Sequence, residues 1–251
     1  MSREAEWFEG FFDATYGEVL AGSFDDEGTA EQARIVRRLL GVRRGTRVLD
    51  VPCGFGRLTV PLAERGLRMT GVDFAAGYLR RGRREARRRG LDIRFVRRDM
   101  REIDFDGEFD AAFNWFGSIG YFGDADNVGF CRRVFEALRP GGGFLVEGIN
   151  KSWLLGHFKA RHEHTFAGIR VTHENRWLAR AGRVESDWTF HLPTGPDRRH
   201  ISMRIYNGAD MRAMLRAAGF GDIRLHGWPP LGRFTRHSRR LIAVARRPAA
   251  P

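Results

Sequence analysis

Three short apolar runs, each closing on a carboxylate, constrain this chain more than any other feature of it. The first, at residues 47–51, is rich in branched side chains and breaks at Pro52, Gly54 and Gly56. That pattern predicts a strand running into a tight turn. Leu58, Val60, Leu62 and Ala63 then resume at helical spacing, so the turn feeds the N-terminus of a helix packed on a sheet. Gly54 and Gly56 let the backbone approach a ligand where a Cβ would collide, and Asp50, at the strand end, can accept a bond from a ligand amine or hydroxyl. A second strand at 69–73 ends on Asp73, and right-handed β-α-β chirality makes it the neighbour of the first. Asp73 is thereby expected beside the glycine turn, where it can take both hydroxyls of a ribose. The third strand, 93–96, leads to Asp99, a carboxylate suited to the exocyclic amine of adenine, and to Met100, an apolar contact for the ring. In that order the three acids suit one adenosine.

The runs Val48-Leu49-Asp50-Val51-Pro52-Cys53-Gly54-Phe55-Gly56-Arg57, Gly71-Val72-Asp73-Phe74 and Arg98-Asp99-Met100 resemble the class I S-adenosylmethionine-dependent methyltransferases. The Cys-Gly-x-Gly-Arg loop is similar to that of the small-molecule branch of that family. The resemblance continues through Phe109-Asp110-Ala111-Ala112-Phe113-Asn114 and Leu138-Arg139-Pro140-Gly141-Gly142-Gly143-Phe144-Leu145-Val146-Glu147, which match the family's fourth and fifth strands. It implies an α/β fold, a Rossmann-like doubly wound sheet of seven strands in the order 3-2-1-4-5-7-6. It further implies Asp50, Cys53, Gly54 and Gly56 around the methionine part of S-adenosyl-L-methionine, Asp73 and Phe74 at its ribose, Asp99 and Met100 at adenine, and Asn114 beneath the sulfonium. The product would be S-adenosyl-L-homocysteine. One departure is Pro52, which stands where the family's acidic-x-Gly-x-Gly-x-Gly loop often has its first glycine.

Dinucleotide-binding proteins offer the nearest alternative, since they too carry a glycine loop with an acid about 20 residues on. Two features favour methyl transfer: an acid precedes the glycines, and Asp-Met follows the third strand. At 251 residues with 42% hydrophobic content, the chain can bury one sizeable core. Cys53 and Cys131 alone do not make a disulfide scaffold. No apolar run approaches the roughly 20 residues of a membrane span, and the N-terminus lacks a signal-peptide pattern, so the expected location is cytoplasmic.

The net charge of +12 raises nucleic acid as a partner. The densest basic run, at 80–89, falls on a helix whose Tyr78, Leu79, Gly82 and Ala86 share one side, which makes it a solvated helix face. No RNA-binding module or aromatic-basic platform accompanies it. A small-molecule acceptor is therefore expected; RNA methylation and non-catalytic cofactor binding are the alternatives.

Residues 1–45 form an expected helical cap, 46–150 the cofactor-binding core, 151–207 an antiparallel β insertion, and 208–251 the completion of the core sheet. In the cap, Trp7, Phe8, Phe11, Phe12, Tyr16, Val19 and Leu20 recur at helical spacing. Such helices fold over the cofactor in the resembled family, and Tyr16 matches a position where an aromatic ring can meet the sulfonium end. In the insertion, 169–177, 184–192 and 200–206 alternate as three strands, with turns at 181–182 and 193–197. A meander of this kind can roof the active site or pair two subunits in a homodimer, and the sequence favours neither. Asn207 and Asp210 predict the cap of the following helix, which Gly219 ends.

Methyl transfer asks the protein mainly to align acceptor, methyl and sulfur and to exclude water. The loop after the fourth strand lies where ligands bind in a doubly wound sheet, so Trp115, Ser118 and Tyr121 are expected to line the acceptor. Tyr121 and His157 are the expected catalytic pair, His157 as general base because it follows soonest after the fifth strand. His162 and His164 would share a strand face, but no nearby cysteine or carboxylate pair completes a recognisable set, and no metal site is expected.

Overall fold

The computed structural model describes residues 7–249, so the first six and last two positions of the expected cap and C-terminal segment lie outside the described residues. The described residues begin with three helices, α1 (Trp7–Phe11), α2 (Ala14–Gly22) and α3 (Asp26–Leu40). Two aspartates punctuate them. Asp13 accepts a bond from the Tyr16 backbone N–H at 3.0 Å, and Asp25 accepts one from Gly28 at 2.6 Å. Each satisfies an N-terminal donor that would otherwise have no intrahelical partner. Alternating strands and helices follow: β1 (Arg47–Asp50), α4 (Thr59–Glu64), β2 (Arg68–Asp73), α5 (Ala76–Arg88), β3 (Arg94–Arg97), β4 (Phe109–Asn114), α6 (Asp124–Ala137) and β5 (Leu138–Ile149).

After the short α7 (Lys151–Gly156) come β6 (Arg161–Phe166), β7 (Ile169–Leu178), β8 (Arg183–Leu192) and β9 (Gly195–Arg204). The chain then returns to the core through α8 (Gly208–Ala217), β10 (Gly221–Trp228), the two-residue β11 (Gly232–Arg233) and β12 (Arg240–Arg246). Asn207 and Asp210 make the reciprocal capping box expected at the start of α8.

The main sheet runs β11-β10-β12-β5-β4-β1-β2-β3. Without β11 this is the expected order, so the correction is one of count: eight strands rather than seven. β1 to β5 pair in parallel, and β12 and β10 add an antiparallel hairpin beside β5. Parallel strands are covered on both faces, which is why β1 and β4 are almost wholly buried. On one face Ala33, Val36 and Leu62 of α3 and α4 pack on Val48 and Phe113; on the other, Phe130 and Val134 of α6 join Met211 and Leu215 of α8 against Phe144.

The second sheet, β6-β7-β8-β9, is a plain antiparallel meander. It has four strands where three were expected. β6 reads Arg-His-Glu-His-Thr-Phe, without the apolar alternation that marks a half-buried strand; it is an edge strand, and edges are commonly polar. β9 begins at Gly195, five residues before the expected start, and only Pro193 and Thr194 turn the chain. Pro196 is tolerated because β9 is the other edge, where a missing N–H removes no ladder bond. Phe190, Val171 and Ile201 of this sheet bury themselves against Phe11, Tyr16 and Val19 of the cap and Tyr78 of α5. The insertion thus buttresses the cap from behind, and the cap lies over the carboxyl ends of the parallel strands.

Candidate active site

The cleft opens where β1, β2 and β4 deliver their last residues, with Asp50, Cys53, Gly54, Asp73, Phe74, Asp99 and Met100 in its wall. Asp73 is held by two backbone donors. Its Oδ2 accepts the Gly54 backbone N–H at 2.8 Å and its Oδ1 that of Ala75 at 2.8 Å. Those two bonds tie the glycine turn to the end of β2 and leave each oxygen a second lone pair. Gly54 has φ 56°, a left-handed conformation in which a Cβ is strained. Gly71 serves a different need: a Cβ there would lie 2.8 Å from Cys53 Sγ, so only glycine lets the turn fold down onto β2.

Asp50 is 3% exposed, and the Thr59 hydroxyl donates to its Oδ2 at 2.6 Å. Burial pushes the Asp50 carboxyl up to about 8, against the opposing effects of Thr59 and Arg57. Burial also raises Asp73, to about 6, with the backbone donors from Ala75 and Gly54 restraining the rise. Asp99 caps the turn at Met100–Glu102, accepting from the Arg101 backbone N–H at 2.9 Å, and pairs with the Arg101 guanidinium at 2.6 Å. The cap and the cleft wall are therefore the same carboxylate. Beside it Met100 is buried, as an adenine contact would need.

Phe8, Phe12, Tyr16 and Leu20 of the cap form the roof, and Trp115, Ser118, Tyr121 and Phe122 the far wall. Tyr121 packs edge-on to Trp7 at 5.2 Å and beside Phe12 at 5.5 Å, and burial drives its hydroxyl, like that of Tyr16, above the usual phenol range. Both rings are thereby neutral donors and not bases.

Three expected site residues sit elsewhere. His157 is exposed, stacked on Trp153 at 4.4 Å with Nδ1 held by the Trp153 carbonyl at 2.9 Å, and it does not line the cleft. Proximity in sequence to β5 misled here, because α7 intervenes and carries it to the surface. Asn114 is fully buried below the cleft wall: its Nδ2 donates to the Val51 carbonyl at 2.8 Å and its Oδ1 accepts from the Ser118 hydroxyl at 3.2 Å. It supports Ser118 and the β1 turn. Gly56, at φ 83°, faces a neighbouring groove and not the cleft.

Sequence reasoning missed Gln32 and Arg57. Gln32 Oε1 accepts both Arg57 Nη2 at 2.7 Å and the Trp115 indole N–H at 3.0 Å, joining α3, the glycine loop and the far wall through one atom. Arg57 lies 3.8 Å from the centroid of the Phe24 ring, and burial brings its guanidinium down to about 10. The available signal was a polar side chain set among Ala33, Ile35 and Val36 on the buried side of α3.

Residues 48–142 match the family model described as a methyltransferase domain. The fold is that of the class I S-adenosylmethionine-dependent methyltransferases, and the stretch that carries the strand-end acids is similar to a methyltransferase domain. A putative methyltransferase of Bacillus subtilis, YqeM, is 29% identical over 185 residues, covering 69% of this chain and 73% of that one. A solved S-adenosylmethionine-dependent methyltransferase from Clostridium acetobutylicum superposes with a TM-score of 0.77 at 17% identity, over 96% of this chain and 99% of that chain. CalS10, an amino pentose methyltransferase of calicheamicin biosynthesis from Micromonospora echinaspora, superposes with a TM-score of 0.66 at 21% identity, over 98% and 100%.

Proposed function

We propose that this protein is a methyltransferase that binds S-adenosyl-L-methionine in the cleft and methylates an oxygen or nitrogen of a small metabolite, of the kind made in natural-product assembly. The observation that supports this reading is the covered cleft: cap helices and the 115–122 loop line it together with the strand-end acids. CalS10, whose fold extends over nearly the same length, acts on an amino sugar. When bound, the cofactor supplies a methyl already made electrophilic by the sulfonium.

The chain's own residues fit it. Asp73 offers its two remaining lone pairs to the ribose hydroxyls from a carboxylate pre-oriented by Gly54 and Ala75. Asp99 and Met100 take the adenine edge and face; Asp50, Cys53 and Gly54 surround the methionine end, with Phe74 beside the ribose and Tyr16 above the sulfonium. Trp115, Ser118 and Tyr121 line the acceptor, aligning it and excluding water. Among the described residues that line the cleft there is no histidine, so acceptor deprotonation falls to a cleft carboxylate or to solvent before docking. An amine acceptor, which need only arrive unprotonated, suits that arrangement better than an alcohol.

Structured RNA is a second reading, favoured by the groove beside the cleft, where Arg57, Arg65, Arg81, Arg84 and Arg89 gather. The deciding experiment follows S-adenosylhomocysteine formation against a panel of amino sugars, phenols and small amines, with bulk RNA as a parallel acceptor. Turnover on a small acceptor supports the first reading. Salt-sensitive turnover on RNA alone would replace it, and cofactor binding without turnover on either would leave a binding protein.

A further inference from the structure

The antiparallel sheet carries five histidines, and three of them converge. His162 and His164 stand two apart on β6 and share one of its faces, since alternate residues of a strand point the same way. His173 on β7 is the direct cross-strand partner of His162 and diagonal to His164. The result is a cluster in which one ring nitrogen from each histidine lies within 4.8 Å of the others. His164 Nε2 and His173 Nε2 are 3.2 Å apart, and the rings of His162 and His173 stack at 4.4 Å. A tetrahedral ion with metal–nitrogen bonds of about 2.0–2.1 Å holds its ligand nitrogens roughly 3.3 Å apart. One pair already has that spacing.

We propose that His162, His164 and His173 bind one borderline divalent ion, such as zinc, with a remaining position open to solvent. Three imidazoles without a carboxylate or thiolate in the set select zinc, nickel or copper over magnesium or calcium. Burial lowers the pKa of all three rings, which favours the neutral imidazole over its charged form. In the metal-free protein one Nε2–H of the His164–His173 pair donates to the other; the ion takes the place of that proton, which moves to Nδ1 of the same ring so that both rings ligate as neutral imidazoles. His162 receives a bond at Nδ1 from Asn175 Nδ2 at 3.1 Å. Ligation through its Nε2 moves the ring proton to Nδ1 and releases the Asn175 amide to its other bond, from Nδ2 to the Lys159 carbonyl at 2.8 Å.

The site also has a structural consequence. β6 is the exposed, polar edge of the insertion, and the turn after it meets the lid: a Cβ on Gly22, the last residue of α2, would lie 2.9 Å from Ala167 Cβ. His173 packs edge-on to Trp188 at 4.1 Å, and Trp188 in turn touches Phe11 and Tyr16 of the cap. An ion spanning β6 and β7 therefore clamps the strand whose turn props α2.

The test uses the untagged full chain titrated with cobalt(II), whose visible ligand-field absorption reports low-coordinate nitrogen ligation. One cobalt per chain, displaced by zinc, is expected. Zinc at about 100 times its dissociation constant should raise the melting temperature by about 5 °C. The double variant His162→Ala/His164→Ala changes only edge-strand residues; it should keep the circular dichroism and metal-free melting temperature of the parent and lose both metal responses. Absence of cobalt bands in the parent at millimolar metal, or undiminished binding in the double variant, would overturn the proposal.

Discussion

The parallel core at residues 47–149 and the antiparallel insertion at 161–204 build their polar clusters by opposite routes. In the core, functional groups lie at strand ends: Asp50 and Asp73 close β1 and β2, Asp99 follows β3, and each emerges at the same edge because βαβ connections return every strand in the same direction. In the insertion they lie mid-strand and meet sideways, as His162 meets His173 across one rung of the ladder. Core sites are therefore set by turn chemistry, which is local. Insertion sites are set by register, where a slip of one residue would send every side chain to the other face.

The sharpest way to break this division is Asp73→Ala. Losing two charge-assisted ribose bonds should weaken S-adenosylhomocysteine binding about 100-fold by calorimetry, while cobalt binding in the insertion stays unchanged. An effect under about threefold on the nucleoside would remove Asp73 from the cofactor site.

Acid titration gives the next effect. Asp73 and Asp50 are raised to about 6 and about 8, so for the ligand-free chain their contribution to stability is complete below the ordinary carboxyl range and is lost as pH rises through 6 and then 8. Cofactor affinity should run the other way. If the ribose needs the Asp73 carboxylate, affinity falls about tenfold per pH unit below 6. Near pH 7 Asp50 should also release a proton when the cofactor's ammonium group docks, seen as a binding enthalpy that changes with the buffer's own ionisation heat. A flat affinity profile between pH 5 and 7 would contradict the assignment to Asp73.

Arg199 tests whether the insertion holds the lid. From β9 its Nη1 reaches the Phe11 carbonyl at 2.8 Å, and its two terminal nitrogens grip Asp13 at 2.7 and 2.9 Å. Asp13 is nearly half exposed, which screens the pair to about 1 kcal/mol. Arg199→Ala should thus raise KM about fivefold with kcat little changed, and speed amide exchange in α1 and the start of α2. The smallest effect belongs to His157→Ala: at an exposed position off the cleft, transfer should stay within about twofold of the parent. A larger loss would bring α7 back into the mechanism.

Much of the core was legible because its signals are short-range. Apolar runs of strand length, positive-φ glycines and acids at strand ends lie within a few residues of one another, and the capping box at Asn207 and Asp210 is written in four residues. Asn114 shows the limit of such reading: its position at the end of β4 was plain, but its side chain turns inward to hold Val51 and Ser118. β6 was left out of the meander, although His162 and His164 were placed on one strand face, because an edge strand can be polar throughout; Gln32 was missed because its partners Arg57 and Trp115 come from distant segments.

By itself the sequence determined the order of the parallel strands, the glycine turn and the three acids, because strand, turn and crossover geometry follow from local chemistry and chain handedness. Tertiary structure alone decided that His157 faces solvent, that Gln32 joins Arg57 to Trp115, and that His173 completes a cluster with His162 and His164. Those outcomes depend on ladder register and on how whole elements are rotated against one another, and no span of neighbouring residues encodes either.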